Sequence, residues 1–224
     1  MDLYRDIHKD EDIYILASGK SVDYIDNSFF DNKIVIGINQ AFKKIKCNYL
    51  VRKETKLLLE CIELNPDTIH FISYGDCGSN NNRNYNIYNN LDEKLKKNVI
   101  IYNHNCNNNV MPDNLPTNEN SLVVSYSTIV SGIHLAAHMG AKNIILVGHD
   151  CGTLNGECNF MGYHTEDTYK IIWKNGKDDY TNWLSKIEND TIKLKGLLKD
   201  KYDCNVYSLN PFINFGLEGN IYIK

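Results

Sequence analysis

The stretch that decides the fold is residues 127–150, which read STIVSGIHLAAHMGAKNIILVGHD. The hydroxyls of Ser127 and Thr128 can cap the start of a helix, and apolar side chains then recur at helical spacing. Gly140 is the residue type that commonly ends a helix, and residues 143–148 follow at once as a continuous apolar strand. A helix followed directly by a fully apolar strand is typical of a parallel α/β sheet.

The same alternation extends over most of the chain. Further strands are predicted at 13–17, 33–38, 47–51, 68–72, 98–102 and 204–209, and further helices at 55–64 and 181–201. Long loops are predicted at 73–90, 103–120 and 151–179. We therefore predict an α/β, Rossmann-like fold in which 1–224 form a single domain. The mostly parallel sheet would carry helices on both faces and long loops at the carboxyl ends of its strands.

Composition narrows the possible functions. The chain has 224 residues, 42% hydrophobic and 23% charged, and a formal net charge of -4. A chain with no basic excess is not expected to bind nucleic acid through phosphate contacts. No apolar run is long enough for a transmembrane helix, and residues 1–12 lack the apolar centre of a secretory signal. The seven cysteines are odd in number, which favours reduced thiols and a cytoplasmic location.

The turn after the first strand, residues 18–21, reads SGKS and resembles part of a phosphate-binding loop. The full P-loop pattern requires a glycine where this chain has Tyr14, and no dinucleotide-binding G-x-G-x-x-G is present. Gly19 would permit a tight turn, and a short helix from Ser21 would present free N–H groups to an anion. A plain strand-to-helix turn explains the same residues equally well.

Two other places offer polar groups near strand or helix ends. Asn39 and Gln40 end the second strand, where their amides could bind a sugar or a base, although Asn39 could equally cap a helix. Ser127, Thr128, Ser131 and Gly132 place small hydroxyls and bare backbone near the start of the strong helix. A phosphate or carboxylate could bind there, but ordinary capping and close packing would also explain these residues.

Candidate reacting groups follow the central strand. His149 and Asp150 end it, and ligands of open α/β sheets bind beyond the carboxyl ends of the strands. His164 lies in the next loop beside two carboxylates, Glu166 and Asp167, and could act as a base or lie in a solvated polar loop. Asp150 could instead cap the turn after the strand.

Metal sites are not favoured by the spacing of histidines and cysteines. His134 and His138 are separated by four residues on a helix, but no third ligand accompanies them, so we expect packing histidines. Cys151 and Cys158 lie near His164, but structural zinc sites usually use two close ligand pairs. We predict no metal site.

Residues 16–21 and 36–41 resemble the opening of two related Rossmann-like groups. One is the hydroxymethylpterin pyrophosphokinase-like family, which includes the motility accessory factor proteins that glycosylate flagellin. The other is the bacterial sialyltransferase family that uses CMP-sialic acid. Residues 131–136 and 143–150 resemble a helix and a strand of both groups, and 187–211 resembles the sialyltransferase ending.

The resemblance covers about half of the chain and includes departures. Ala17 and Lys20 stand where the turn motif of both groups has Gly and Pro. Residues 180–184 lack the catalytic histidine that the sialyltransferases place before their final long helix. The pair Gly148 and Asp150, with the glycine-rich loop after it, is more similar to the pyrophosphokinase-like group.

The resemblance implies a glycosyltransferase that moves a sugar, of sialic-acid type in one of the two groups, from a nucleotide-activated donor to a hydroxyl acceptor. His149 and Asp150 would face the reacting centre, and His164 would be the acceptor base. No convincing D-x-D motif occurs, so no metal or other cofactor is expected to be required. The donor would be held by Gly19, Ser21, Asn39, Gln40, Ser127, Ser131 and Gly132.

Two other functions stay open at this point. A pyrophosphokinase of the hydroxymethylpterin type would need magnesium, which Asp150 could bind together with Asp76 or Glu166. A non-catalytic protein could bind a nucleotide or a sugar, since Ala17, Lys20 and the missing histidine depart from the catalytic pattern. The sequence is also compatible with a homo-oligomer.

Overall fold

The computed structural model describes residues 1–55, 57–75, 81–104, 110–152, 154, 157–163 and 177–209, with 177–183 described for the backbone only. The strands are β1 Asp12–Leu16, β2 Ile34–Ile38, β3 Tyr49–Arg52, β4 Ile69–Ser73, β5 Val99–His104, β6 Ser121–Leu122, β7 Asn143–Val147 and β8 Asn205–Ser208. The α-helices are α1 Leu58–Leu64, α2 Arg83–Asn89, α3 Glu93–Lys96, α4 Ile129–His138 and α5 Lys177–Tyr202. Short 3₁₀ helices lie at Asp2–Tyr4, Lys20–Tyr24, Asn27–Phe30 and Ala41–Lys43.

The described strands form one parallel sheet in the order β6-β5-β4-β3-β2-β1-β7-β8. Within it Ile15 of β1 lies between Ile36 of β2 and Leu146 of β7. The chain builds the sheet outward from β1 to β6 and then returns to place β7 on the other side of β1. The reversal lies between β1 and β7, and α/β proteins commonly bind ligands beyond the carboxyl ends of the strands at such a point. The prediction of a parallel α/β sheet is confirmed.

Both faces of the sheet are covered. Alternate side chains of a strand point to opposite faces, and β1 shows this with Ile13 and Ile15 on one face and Tyr14 and Leu16 on the other. The first face packs against α4 and α5. The second packs against the 3₁₀ helices Lys20–Tyr24 and Asn27–Phe30 and against Cys61 of α1. Helices therefore lie on both faces, as predicted.

Helix α4 is buried along its whole length, and its small residues explain how closely it approaches the sheet. A Cβ atom on Gly132 would lie 2.5 Å from Cδ1 of Ile38, so the end of that side chain would have to move to admit a larger residue. The hydroxyl of Ser131 donates to the carbonyl oxygen of Val123 at 2.7 Å. Close packing, the second explanation considered for these two residues, is what the contacts support.

One predicted loop is partly helical. The segment 73–90 was expected to be irregular because it is rich in asparagine and glycine, yet α2 lies within it. The side chain of Asn84 is fully buried and donates to the carbonyl oxygens of Lys53 at 3.0 Å and Gly75 at 2.8 Å. The Thr55 hydroxyl donates to its Oδ1 at 2.8 Å. These tertiary hydrogen bonds outweigh the poor helix propensity of asparagine.

The histidines of α4 are packing residues, as predicted. His134 is buried and its Nδ1 accepts from the backbone N–H of Val123 at 3.1 Å. His138 is also buried, with Nε2 3.2 Å from the carbonyl oxygen of Met1. Among the described helices, none is both long enough and apolar enough to span a bilayer.

Candidate functional site

The turn after β1 is joined tightly to the end of β7. The backbone N–H of Gly19 donates to the carbonyl oxygen of Gly148 at 2.7 Å. A Cβ atom on Gly19 would overlap both that oxygen and Cγ of Asp150. Gly19 has an ordinary φ of -63°. Close approach between the two strand ends therefore explains this glycine better than the permissive turn conformation that we expected.

Ser21 and Asp150 form the strongest polar contact of this junction. The backbone N–H of Ser21 donates to Oδ2 of Asp150 at 2.8 Å, and its hydroxyl donates to Oδ1 at 2.5 Å. The N–H group that was expected to meet a ligand anion therefore already meets a carboxylate of the protein. A phosphate placed here would lie against a like charge, which disfavours it. The ligand role of Ser21 and the reacting role of Asp150 stay predictions, and these contacts do not support them.

Replacing Asp150 with asparagine should lower the free energy of unfolding by about 2 kcal/mol. The asparagine has one acceptor oxygen, so one Ser21 donor would lose a charge-assisted hydrogen bond worth roughly 1.5–3 kcal/mol. Urea denaturation measures the change. A double-mutant cycle with Ser21→Ala should give a coupling energy of about 1 kcal/mol or more. Additive effects of the two substitutions would contradict the assignment.

His149 ties β7 to the long helix α5. Its Nε2 lies 2.8 Å from Oγ1 of Thr191, whose hydroxyl proton is donated to the carbonyl oxygen of Ile187 at 3.0 Å. This network assigns the hydrogen to Nε2, which then donates to Thr191. Burial lowers the pKa of His149 to about 4, so the ring is neutral near pH 7. These contacts give His149 a positioning role, and the reacting role expected for it stays a prediction.

The chain after β7 folds back over the β1 turn. Asn159 forms a bridge with Gly19, and its Nδ2 donates to Oγ of Ser18 at 3.0 Å. Farther along, the backbone N–H of Met161 donates to Oδ2 of Asp23 at 2.9 Å. Tyr163 is buried with its phenol beside the side chains of Ser18 and Asn39. This segment encloses the carboxyl ends of β1 and β2.

His164 comes directly after this segment and lies outside the described residues, as do Asp76 and Glu166. The base role expected of His164, and the magnesium ligands of the pyrophosphokinase alternative, stay predictions. In the described part of the chain, no three side chains of the His, Cys, Asp and Glu types gather into a metal-binding group.

The ends of β2 and β3 meet the start of α4 in a second polar region. Lys53, which follows β3, is buried, and its ammonium group donates to the carbonyl oxygen of Ser125 at 2.5 Å. Thr128, the N-cap residue of α4, makes no capping hydrogen bond with its side chain. It precedes Gly132 by about one helical turn, and Gly132 packs on Ile38. Helix α4 therefore begins near the carboxyl end of β2, the strand that Asn39 follows.

Three polar atoms of this region have no hydrogen-bond partner within the described residues. They are Oδ1 of Asn39, Oγ of Ser125 and Oγ1 of Thr128, and all three are buried. The Tyr163 phenol lies beside Asn39 and the Asp190 carboxyl beside Ser125, but neither pair has hydrogen-bond geometry. An unsatisfied buried polar group costs roughly 1–3 kcal/mol, so several such groups in one place indicate a site that a ligand or water completes. We call Asn39, Lys53, Ser125 and Thr128 the polar floor.

The polar floor has the charge and the hydrogen-bonding groups needed to bind an anion that carries a polar group. The positive end of the α4 dipole lies at Thr128, and the basic group of Lys53 lies beside Ser125, three residues before it. Asn39 adopts a left-handed backbone with φ of 54°, uncommon outside glycine, which is often found at ligand sites. Lys53 and Ser125 were missed in the sequence, where the only signals were a basic residue ending an apolar strand and a hydroxyl just before the helix.

The remaining predicted donor residues lie around this floor or beneath it. Gln40 is buried directly before the 3₁₀ helix Ala41–Lys43. The Ser127 hydroxyl accepts from the backbone N–H of Ile129 at 3.4 Å, which is a weak cap of α4. Ser131 and Gly132 lie inside the core, with their contacts already made by Val123 and Ile38. Their donor-binding role stays a prediction without support from these contacts.

The sequence matches no protein-family model and no curated protein. Solved structures share its fold. The sialyltransferase CstII from Campylobacter jejuni, in complex with a substrate analogue, cytidine-5'-monophosphate, superposes with a TM-score of 0.51 at 15% identity over 95% of this chain and 85% of that one. The chain has the fold of this sialyltransferase.

Two other structures give similar values. The sialyltransferase CST-II in complex with a trisaccharide acceptor and CMP has a TM-score of 0.51 at 16% identity, over 94% of this chain and 87% of that one. The MAf glycosyltransferase from Magnetospirillum magneticum AMB-1 has a TM-score of 0.49 at 14% identity, over 92% of this chain. This chain spans 33% of the length of the MAf enzyme.

Proposed function

We propose that the protein is a glycosyltransferase that moves a sugar of the sialic-acid type from a CMP-activated donor to a hydroxyl acceptor, without a metal. The observation that carries this proposal is the polar floor. Its three unsatisfied buried groups and its buried ammonium group lie at the carboxyl ends of a parallel sheet. The same fold holds CMP in the sialyltransferase structures to which the chain is similar.

The donor phosphate would bind at the start of α4. The Thr128 hydroxyl and the first N–H groups of the helix would donate to the phosphate oxygens, with Lys53 close by. The Asn39 amide would bind the sugar or the base of the nucleotide. This placement differs from the one expected from sequence, because the carboxylate of Asp150 already takes the N–H of Ser21.

The chemistry follows from where charge develops. In an inverting displacement the acceptor oxygen bonds to the anomeric carbon of the sugar, while the bond from that carbon to the nucleotide phosphate breaks. The leaving phosphate gains negative charge, and an ammonium group with preorganised N–H and O–H donors stabilises that charge. Lys53 and the start of α4 would supply this stabilisation.

Thermal unfolding with CMP, CDP, UDP, GDP and ATP, each with and without magnesium, tests the proposal. A ligand at 100 times its Kd adds about 2.7 kcal/mol of stability, which is a readable shift. The proposal predicts a shift with CMP that does not depend on magnesium, and release of CMP from CMP-sialic acid. A shift only with ATP and magnesium would favour the pyrophosphokinase, and a CMP shift without turnover would favour a binding protein. Absence of any shift would contradict the nucleotide site.

Replacing Thr128 with valine should separate binding from stability. Because the Thr128 hydroxyl is buried without a partner, its removal should leave the free energy of unfolding unchanged or raise it by up to about 1 kcal/mol. The affinity for CMP should fall about five- to tenfold, since one hydrogen bond to the ligand is lost. Isothermal titration calorimetry and urea denaturation measure the two effects.

Thr68→Val is the matched control. Thr68 is also buried, but its hydroxyl donates to the carbonyl oxygen of Cys47 at 3.2 Å, and it lies just before β4, at the opposite end of the sheet. This variant should lose stability and keep its CMP affinity. The same pattern in both variants would argue against a ligand role for Thr128.

A further inference from the structure

Helix α5 brings one carboxyl group to the edge of the polar floor. Asp190 lies beside the Ser125 hydroxyl and the backbone N–H of Tyr126. Its Oδ2 atom is buried and, like Oγ of Ser125, makes no hydrogen bond of normal geometry within the described residues. Asp190 as a whole is only half-buried, so a second substrate could reach it from outside.

The position of Asp190 is fixed from several sides. The next residue, Thr191, is fully buried and holds Nε2 of His149 at 2.8 Å. Ile187 and Leu194, one turn away on either side, are buried in the core against the sheet. The carboxyl group is therefore held by a rigid element, which is a requirement for a group that takes part in a reaction.

The surroundings of Asp190 affect the pKa of its carboxyl group in a way that favours a role as proton acceptor. Burial raises the pKa of Asp190 above its ordinary value, and the Ser125 hydroxyl, the Tyr126 N–H, Lys193 on the same helix and Lys53 after β3 act in the opposite direction. An acid whose pKa moves toward neutral holds an abstracted proton better than an ordinary aspartate does. The described chain therefore places an acid with a raised pKa beside the floor that would hold the donor.

We infer that Asp190 is the catalytic base of this protein, taking the proton of the acceptor hydroxyl as that oxygen attacks the sugar. The inference rests on the proposed function. The acceptor O–H bond breaks and its proton passes to the Asp190 carboxylate. The acceptor oxygen bonds to the anomeric carbon, and the electron pair of the bond between carbon and phosphate oxygen leaves with the nucleoside phosphate. Asp190 would thereby take the role that the sequence analysis assigned to His164.

The test uses the full chain, with CMP-sialic acid as donor and water as the acceptor, and follows the release of CMP against pH. Asp190→Asn should lower the rate between about 100-fold and 10,000-fold, which is the range for loss of a general base. The rise of the wild-type rate with pH, produced by ionisation of Asp190, should disappear in this variant. Asp190→Glu should keep that rise, and the stabilisation by CMP should be unchanged in both.

Asp200→Asn is the matched control, since Asp200 is an exposed acid on the same helix. It should release CMP at the wild-type rate. Two results would overturn the inference and leave the proposed function standing. One is a rate of CMP release by Asp190→Asn within threefold of the wild-type rate. The other is a lower rate of CMP release with an unchanged pH profile and a matching loss of CMP binding. If the wild type releases no nucleotide from CMP-, UDP- or GDP-sugars, the proposed function fails, and the inference fails with it.

Discussion

Replacing Gly148 with alanine should lower the free energy of unfolding by about 3 kcal/mol. Gly148 directly follows β7, which is the second strand from the edge of the sheet and not the central strand that we expected. Its φ of +70° lies in the left-handed region, where a residue with a Cβ atom costs roughly 1–2 kcal/mol. The added Cβ would also overlap Cγ2 of Val22, a stiff and fully buried side chain. Overpacking of this kind costs roughly 1–3 kcal/mol.

Gly148→Ala should also weaken the hydrogen bonds that join the ends of β1 and β7. The carbonyl oxygen of Gly148 accepts from the N–H of Gly19, and Ser21 is held by Asp150 two residues later. A displaced Gly148 would therefore weaken both contacts. Urea denaturation measures the effect, with Gly196→Ala as the control.

Gly196 lies on the exposed side of α5, with no atom within 4 Å of the position that its Cβ would take. Alanine there should raise stability by about 0.5–1 kcal/mol, because glycine is a poor helix former. We therefore expect Gly148→Ala to lower the free energy of unfolding and Gly196→Ala to raise it. A Gly148→Ala protein as stable as the wild type would show that the junction is looser than described.

Acidification from pH 7 to pH 5 should lower the free energy of unfolding by about 3 kcal/mol through buried histidines. Burial lowers the pKa of His134 to about 3 and that of His149 to about 4. The unfolded chain takes up these protons below a pKa near 6.5, whereas the folded protein does not. Because the unfolded state binds more protons, stability is full above pH 6.5 and falls as the pH decreases toward 4.

The variant His149→Gln isolates one part of this dependence. A glutamine amide can still donate to Thr191, but it does not titrate. The variant should lose less stability than the wild type between pH 7 and pH 5, by about 1.5–2 kcal/mol. Urea denaturation at the two pH values measures the difference. Equal losses in the two proteins would show that His149 is protonated in the folded state.

The regular part of the fold could be predicted from sequence because it depends on local patterns. Strands β1, β2 and β7 are continuous apolar runs, and α4 has both a start and a stop signal. Helix α2 was missed because its stability comes from Asn84, whose partners are Lys53 and Gly75. The two-residue strand β6 was missed because two residues are too few to show the alternation of side chains that predicts a strand.

The candidate site could be predicted in position but not in contacts. Asp150 and Ser21 were both singled out, yet they are 129 residues apart, and no local signal says that they bind each other. The polar floor was only half predicted. Asn39 and Thr128 were both named as residues that could bind a ligand or cap a helix, and the missing hydrogen bond that favours the first interpretation becomes visible only when the surroundings of each group are known.

The location of a bound nucleotide tests the central claim most directly. A crystal structure of the protein with CMP would show it. We expect the phosphate at the start of α4, with an oxygen within about 3 Å of Oγ1 of Thr128 and with Lys53 close by, and the Ser21–Asp150 hydrogen bonds intact. A phosphate bound instead at the N–H groups of residues 19–21, with Asp150 displaced, would contradict it.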